Sequence, residues 1–303
     1  MNCLRCLLPL VEEPSCYGIH SECFTEWFGV PSNATFTGLT RRSSASNEES
    51  RDITPQNNSF FHGKFKKYSA ILNGESFILK MRQTEAPELP EVEYLCNQIG
   101  DALGVPVAKY YIINFEGSNV FATKNFIHHT IPTDLQHICN FRNIDQHNCK
   151  DLISTVKEYT KRPYWVKVLV KTILFDSLIG NHDRHGRNLA FLVTSNDTVL
   201  SPIYDNVSYL SLESGDMLRA DFNPTGKIST EISQEPNMRD YVLELRKLGF
   251  EDEVSEFFKE LTLRGIGKIE LLIENSFCTP LMKKALFKLI RKRYLELKNE
   301  FKS

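Results

Sequence analysis

The sequence of 303 residues has no excess of either charge, 36 Lys and Arg standing against 38 Asp and Glu, so no whole-chain field draws it to nucleic acid or to an anionic membrane surface. Long apolar runs are missing as well. The longest, Val166 to Ile179, carries Lys167, Lys171 and Asp176 and is too short to cross a bilayer, so no membrane partner is expected. Near the start, the run Leu7 to Val11 is interrupted by Pro9 and followed by Glu12 and Glu13, unlike a signal peptide, and a cytoplasmic protein is expected. Neither an internal repeat nor a coiled-coil heptad is visible. Eight cysteines are too few for a dense disulfide framework in a chain of this length, and Cys96, Cys139, Cys149 and Cys278 are expected to be reduced and buried. What is present in quantity is apolar residue, 41% of the chain, enough to fill the core of one large or two modest domains.

Four segments follow from composition and periodicity. Residues 1–31 form a cysteine-containing segment ending in Phe24, Trp27 and Phe28. Residues 32–65 begin as a span rich in Ser, Thr and Asn, read as a mobile loop or linker through residue 59, and run on to the first strand signals. Residues 66–126 read as a small sheet with one helix. Its strongest signal is a hairpin, Tyr68 to Leu72 and Phe77 to Met81 about the turn residues Asn73-Gly74, followed by a helix over 91–103 and strands over 107–114 and 119–123. Residues 127–303 read as mainly helical, with helices over 150–159, 164–178, 238–248, 251–262, 266–274 and 281–301. The helix over 164–178 is apolar almost all round, which suits the middle of a lobe, and Gly180 is placed to end it.

Immediately after that helix comes Gly180-Asn181-His182-Asp183-Arg184-His185-Gly186-Arg187-Asn188, a loop dense in groups that handle protons and metal ions. Asp183 and Asn188 stand five positions apart (188 − 183), the separation at which a kinase catalytic loop sets its substrate-facing carboxylate and its metal-binding amide. Phosphoryl transfer also needs a second oxygen ligand for magnesium. Asp205, in Pro202-Ile203-Tyr204-Asp205-Asn206-Val207-Ser208, stands 22 positions beyond Asp183 (205 − 183), at the expected end of another short strand.

The GNHDRHGRN and PIYDNVS segments resemble the catalytic and metal-binding motifs of HipA-type kinases, and more narrowly those of the shorter HipT proteins. The resemblance implies an α+β, two-lobed protein-kinase-like fold, with a small β-rich N-lobe and a larger, mainly helical C-lobe. It implies a serine/threonine protein kinase using ATP and Mg2+, with Asp183, Asn188 and Asp205 catalytic and Asn188 and Asp205 holding the metal. Lys80 then corresponds to the strand lysine on the ATP phosphates and Glu93 to its helix partner; Lys124 and Phe126 belong to the hinge that meets adenine, and His185 lines the nucleotide site. Residues up to 65 then include the family's phosphate-binding loop: Gly63 and Lys67 of Gly63-Lys64-Phe65-Lys66-Lys67 match the ends of its Gly-x-Gln-x-Lys pattern, while the glutamine is replaced by Phe65. Relatives autophosphorylate a serine ahead of that glycine, which makes Ser59, Ser43, Ser44 and Ser46 the candidates here. The resemblance further implies the toxin of a three-part system, partnered by a HipS-like small antitoxin and a HipB-like DNA-binding antitoxin, acting on the translation machinery, for instance on an aminoacyl-tRNA synthetase. HipT proteins lack the N-terminal subdomain of HipA, and a first kinase hairpin near residue 66 fits that absence. Two readings stay open beside it: a nucleotide-binding scaffold without catalysis, and a lipid or small-molecule kinase, since lipid-kinase loops share the Asp-Arg-His-x-x-Asn pattern.

Two further patterns carry chemistry. Cys3-x-x-Cys6 and His20-x-x-Cys23 have the ligand types and paired spacing of a structural zinc site, with Cys16 a spare ligand, or they are small buried residues. Lys283, Lys284, Lys288, Arg291, Lys292 and Arg293 lie on the last helix. Its apolar positions Leu286, Leu289, Ile290 and Leu297 recur at packing spacing, so the basic run reads as a solvated face, and direct nucleic-acid binding is not expected.

Overall fold

The computed structural model of the chain describes residues 1–10, 16–42, 67–127, 133–142, 148–220, 223–261 and 265–302. These divide into two compact units, Met1–Tyr94 with Ala108–Phe126, and Leu95–Val107 with Ile127–Ser303. Residues 95–107, expected with the N-lobe, therefore pack with the helical unit. Among the described residues no helix is long and apolar enough to cross a membrane.

In the first unit, helix α1 (Ser21–Phe28) precedes strand β1 (Thr37–Arg42), and the expected hairpin forms as β2 (Lys67–Leu72) and β3 (Glu75–Met81). Asn73 and Gly74 both take left-handed backbone, φ 48° and 81°, which twists a two-residue turn to match its strands. Helix α2 (Leu89–Ala102) follows, then β4 (Tyr110–Phe115) and β5 (Ser118–Lys124), closing an antiparallel sheet of order β1-β2-β3-β5-β4. β1 corrects the expectation that residues 32–59 are a mobile linker. Arg42 lies opposite Lys67 and Thr37 opposite Ile71, so part of that span is an edge strand. Its Thr-Gly-Leu-Thr-Arg-Arg sequence lacks an apolar alternation because an edge strand carries polar groups at little cost.

The sheet is covered on both faces, which explains the unbroken burial of Phe77 to Lys80 in β3. One face meets aromatic rings: Phe28 stacks on Tyr111 with centroids 4.4 Å apart, and Phe36 meets Phe77 edge-on at 5.4 Å. The opposite face, one residue out of phase, turns Lys80 toward α2.

The second unit is built around α5 (Pro163–Ile179). Twelve of its residues are buried, from Val166 to Ile179, as its lack of a polar face requires. It follows β6 (Asp134–His137), α3 (Cys139–Arg142) and α4 (Cys149–Thr160), and leads to β7 (Ala190–Val193) and β8 (Thr198–Leu200), which complete a small sheet of order β6-β7-β8. α6 (Asp216–Arg219), α7 (Met238–Lys247), α8 (Glu251–Leu261), α9 (Gly265–Glu274) and α10 (Pro280–Asn299) complete it, with α7, α8 and α10 against α5. Gly180 caps α5 at φ 68°, and a Cβ there would meet Pro224 and Leu289 at 2.6 and 2.7 Å, so only glycine fits. The loop that follows is thereby anchored at its first residue.

Candidate active site

Asp183 leaves the anchored loop with its side chain 47% exposed, open to an incoming group. Its backbone N–H donates to Asn181 Oδ1 at 3.1 Å, and its carbonyl accepts from Asn188 Nδ2 at 2.8 Å. The same Nδ2 lies 3.4 Å from the Asp183 carboxylate. Asn188 is buried and spends its amide nitrogen on Asp183, which turns Oδ1 into the end available as an oxygen ligand. His185 sits between them, its Nε2 3.6 Å from Asp183 and its Nδ1 accepting from the Arg187 N–H at 3.0 Å. Burial lowers the His185 pKa, and the Asp183 charge only partly offsets that.

Asp205 was expected at a strand end. It instead follows Ile203, which makes a single bridge to Val107, five positions past the last residue of β8. Asp205 holds φ 54°, left-handed backbone that a non-glycine residue adopts only where its surroundings enforce it.

What enforces it is Arg184, a residue that motif matching passes over as filler. The Arg184 side chain is buried and makes five hydrogen bonds: to Asp176 through Nε at 2.8 Å and Nη2 at 3.1 Å, to the Asn188 and Tyr204 carbonyls through Nη1 at 3.0 and 2.6 Å, and to Asn206 Oδ1 through Nη2 at 2.5 Å. One guanidinium thus clamps the Asp183–Asn188 loop to the residues on both sides of Asp205, the Tyr204 carbonyl before it and the Asn206 side chain after it. Asn181 adds a bond from Nδ2 to Asp176 at 3.0 Å, and Asn206 Nδ2 donates to Asn97 of α2 at 2.9 Å. Burial pushes the Asp176 carboxyl up while Arg184 draws it back toward the charged form; burial likewise opposes the Arg184 charge, and Asp176 outweighs it. His182 donates from Nδ1 to the Thr225 carbonyl at 2.6 Å and packs edge-on to Tyr209, so it buttresses the loop from behind.

The first unit holds the other predicted pair. Lys80 Nζ lies 2.5 Å from Glu93 Oε1, both side chains almost fully buried, and 5.6 Å from the centroid of the Phe121 ring. Lys67 is not in a loop: it opens β2, buried, directly across from Lys80 on the same face. Beside them, buried Glu91 pairs with Arg82 and accepts from Asn119 Nδ2 at 2.9 Å, a bracing interaction that helical periodicity did not single out. Lys124 ends β5 and is 3.2 Å from Glu75, a partly exposed ion pair; Phe126 is half-buried two residues on. Gly63, Ser59, Ser43, Ser44 and Ser46 lie outside the described residues. Cys3, Cys6, His20 and Cys23 come together, one ligand atom of each within 4.8 Å of the others.

Residues 59–264 match the HipA-like C-terminal domain family. No curated protein matches the chain. Among solved structures, it is similar to the Helicobacter pylori proinflammatory kinase CtkA, with a TM-score of 0.62 and 21% identity over 78% of this chain and 95% of that one. It is also similar to HipA of Shewanella oneidensis MR-1, solved in a toxin–antitoxin complex with HipB and operator DNA, with a TM-score of 0.59 and 15% identity over 96% of this chain and 74% of that one. At these identities the likeness is one of fold.

Proposed function

Since this chain belongs to the HipA-like C-terminal domain family, we propose that it is an ATP-dependent serine/threonine protein kinase, with Asp183 as the residue that orients the accepting hydroxyl. The observation that carries this reading is the Arg184 clamp, which holds Asn188 and the strained Asp205 in one rigid frame around an exposed Asp183. A solvated loop has no need of such a frame.

Catalysis of phosphoryl transfer is chiefly positioning and charge neutralisation. Asp183 accepts the hydrogen bond of a Ser or Thr hydroxyl and aims its lone pair at the γ-phosphorus; as the new O–P bond forms, the bond from the γ-phosphorus to the bridging oxygen breaks, ADP leaves, and Asp183 takes the hydroxyl proton. Asn188 Oδ1 and the Asp205 carboxylate are hard oxygen donors of the kind that hold Mg2+, and the amide is already oriented by Asp183. A Mg2+ ion held by these two residues would offset the negative charge of the phosphates. Lys80 supplies a point charge to the phosphates, with Glu93 fixing its ammonium. Lys67, on the same face as Lys80, adds a second cation, and Gly63 would let backbone approach the phosphates. Lys124, Phe126 and His185 are assigned to nucleotide contacts.

The family and the HipB complex of the Shewanella relative support a toxin role in which a HipB-like DNA-binding antitoxin restrains this chain; a HipS-like small antitoxin is assigned on the resemblance of the GNHDRHGRN and PIYDNVS segments to HipT proteins alone. The substrate we assign is a protein of the translation machinery, such as an aminoacyl-tRNA synthetase, with autophosphorylation on Ser59, Ser43, Ser44 or Ser46. The test is incubation of the purified chain with γ-labelled ATP, magnesium and a bacterial lysate, beside Asp183→Asn and Asp205→Asn. Label on the chain or on a lysate protein with the unmodified form alone supports the proposal. Equal labelling in all three, or none despite ATP binding, contradicts it.

A further inference from the structure

The first unit contains a second constellation, unconnected with phosphoryl transfer. Cys3 and Cys6 sit on a tight turn closed by hydrogen bonds from the Cys3 N–H to the Leu8 carbonyl at 2.8 Å and from the Leu7 N–H to the Cys3 carbonyl at 2.9 Å. His20 is the N-cap of α1, and Cys23 lies in its first turn. The turn and the helix start thus bring two ligand pairs to one point, where one ligand atom from each of Cys3, Cys6, His20 and Cys23 lies within 4.8 Å of the rest.

The histidine decides the chemistry. Its Nε2 is 3.0 Å from the Pro9 carbonyl, which can only accept, so Nε2 carries the proton and Nδ1 presents its lone pair. That Nδ1 faces the sulfurs, 3.3 Å from Cys6 Sγ. A ring nitrogen that faces ligands while its opposite N–H is held by a carbonyl is the usual arrangement of a metal-bound histidine. The His20 backbone N–H also points at Cys3 Sγ, 3.5 Å away, as a donor to a thiolate does, and the Arg5 guanidinium reaches the Cys23 sulfur. Cys16, which the sequence leaves as a fifth candidate, is directed elsewhere: its Sγ is 2.6 Å from the Ser32 carbonyl.

We propose that Cys3, Cys6, His20 and Cys23 bind one structural Zn2+ ion in a closed tetrahedral site. Three thiolates and an imidazole are the donor set of structural zinc, and four protein ligands leave no position for substrate. Binding replaces the three thiol protons, which leave to solvent, and gives a site of net charge −1 beside Arg5, itself paired with Glu26. Zinc pins α1 so that Phe24 reaches Tyr17 in the turn before it and Phe28 reaches Tyr111 on β4 of the sheet. Among the described residues ahead of α1 the buried apolar side chains are Cys3, Leu4 and Ile19, so the metal supplies the cross-link a larger core would otherwise provide.

The test is metal content of the full chain purified without chelators, by native against denaturing mass spectrometry, with cobalt exchange as an optical readout. About one zinc per chain is expected, with the intense visible absorption of tetrahedral thiolate-bound cobalt after exchange. Cys6→Ser and Cys23→Ser should each reduce the zinc to near zero, while Cys16→Ser keeps it; His20→Cys, which supplies a fourth thiolate, should keep the metal and alter the cobalt spectrum. The proposal is overturned if the unmodified chain holds no zinc after refolding with it, if a disulfide joins any two of Cys3, Cys6 and Cys23, or if Cys16→Ser loses the metal.

Discussion

Replacing Arg184 by Met should unfold the helical unit at markedly lower denaturant without reshaping it sterically. The guanidinium satisfies both oxygens of buried Asp176, the carbonyls of Asn188 and Tyr204, and Asn206 Oδ1. After the change, the Asp176 carboxylate keeps the Asn181 side-chain amide at 3.0 Å as its remaining hydrogen bond among those described for it. Breaking a buried ion pair from one side costs about 3–5 kcal/mol, and each buried acceptor left without its donor about 1–3 kcal/mol before relaxation. We expect about 4–6 kcal/mol in all, a large part of the ~5–15 kcal/mol that holds a domain together. At a urea slope of about 2–3 kcal/mol/M the midpoint falls by about 2 M. The chain has two tryptophans, Trp27 in the first unit and Trp165 in the second, so fluorescence in a Trp27→Phe background reports the helical unit alone. Arg184→Lys, a point charge that cannot span all four acceptor groups, should fall between. Asp176→Asn combined with Arg184→Met should be less destabilising than the sum of the single changes by about 2 kcal/mol. A midpoint shift under about 0.5 M, or additive single changes, would refute the clamp.

Other outcomes follow from the same geometry. Gly180→Ala places a Cβ 2.6 Å from Pro224 at φ 68°, so the Trp165 transition should drop by about 2–3 kcal/mol. Lys80→Met removes the cation paired with the buried Glu93 carboxylate and should lower the Trp27 transition by about 3–5 kcal/mol, whereas Lys80→Met with Glu93→Leu recovers much of it without restoring phosphate transfer. Cys149 is fully buried, and burial, with Glu244 adding to it, pushes its thiol well above the ordinary range, so alkylation followed by peptide mapping should reach it only as the unit unfolds. Alkylation of Cys149 as fast as of a free thiol would contradict its placement.

How far the sequence could be read depended on whether a residue signals through its neighbours in the chain or through distant ones. Asn73-Gly74 announces its hairpin because the turn conformation is local, and Gly180 announces the end of α5 for the same reason. The apolar circumference of α5 likewise states its own burial. β1 was missed because its partner lies across a long stretch of sequence and its exposed edge imposes no alternation. β6, Asp-Leu-Gln-His, is too short for periodicity to register. The motif spacing pointed to Asp183, Asn188 and Asp205, but Asp176, Arg184, Asn206 and Asn97 act as one network only after folding joins residues as much as 109 positions apart. Asp176 in particular reads as a blemish in an apolar helix. A charge buried in such a helix, eight residues before an arginine in a polar loop, is the signal that would have found it.

The most direct test of the central claim is to incubate the chain with ATP labelled at the γ-phosphorus in one tube and at the α-phosphorus in another, with and without Asp183→Asn. The account predicts protein-bound label from the γ position alone, on serine or threonine, and lost with Asp183→Asn. Label transferred from the α position, or γ-transfer that survives Asp183→Asn undiminished, would contradict it.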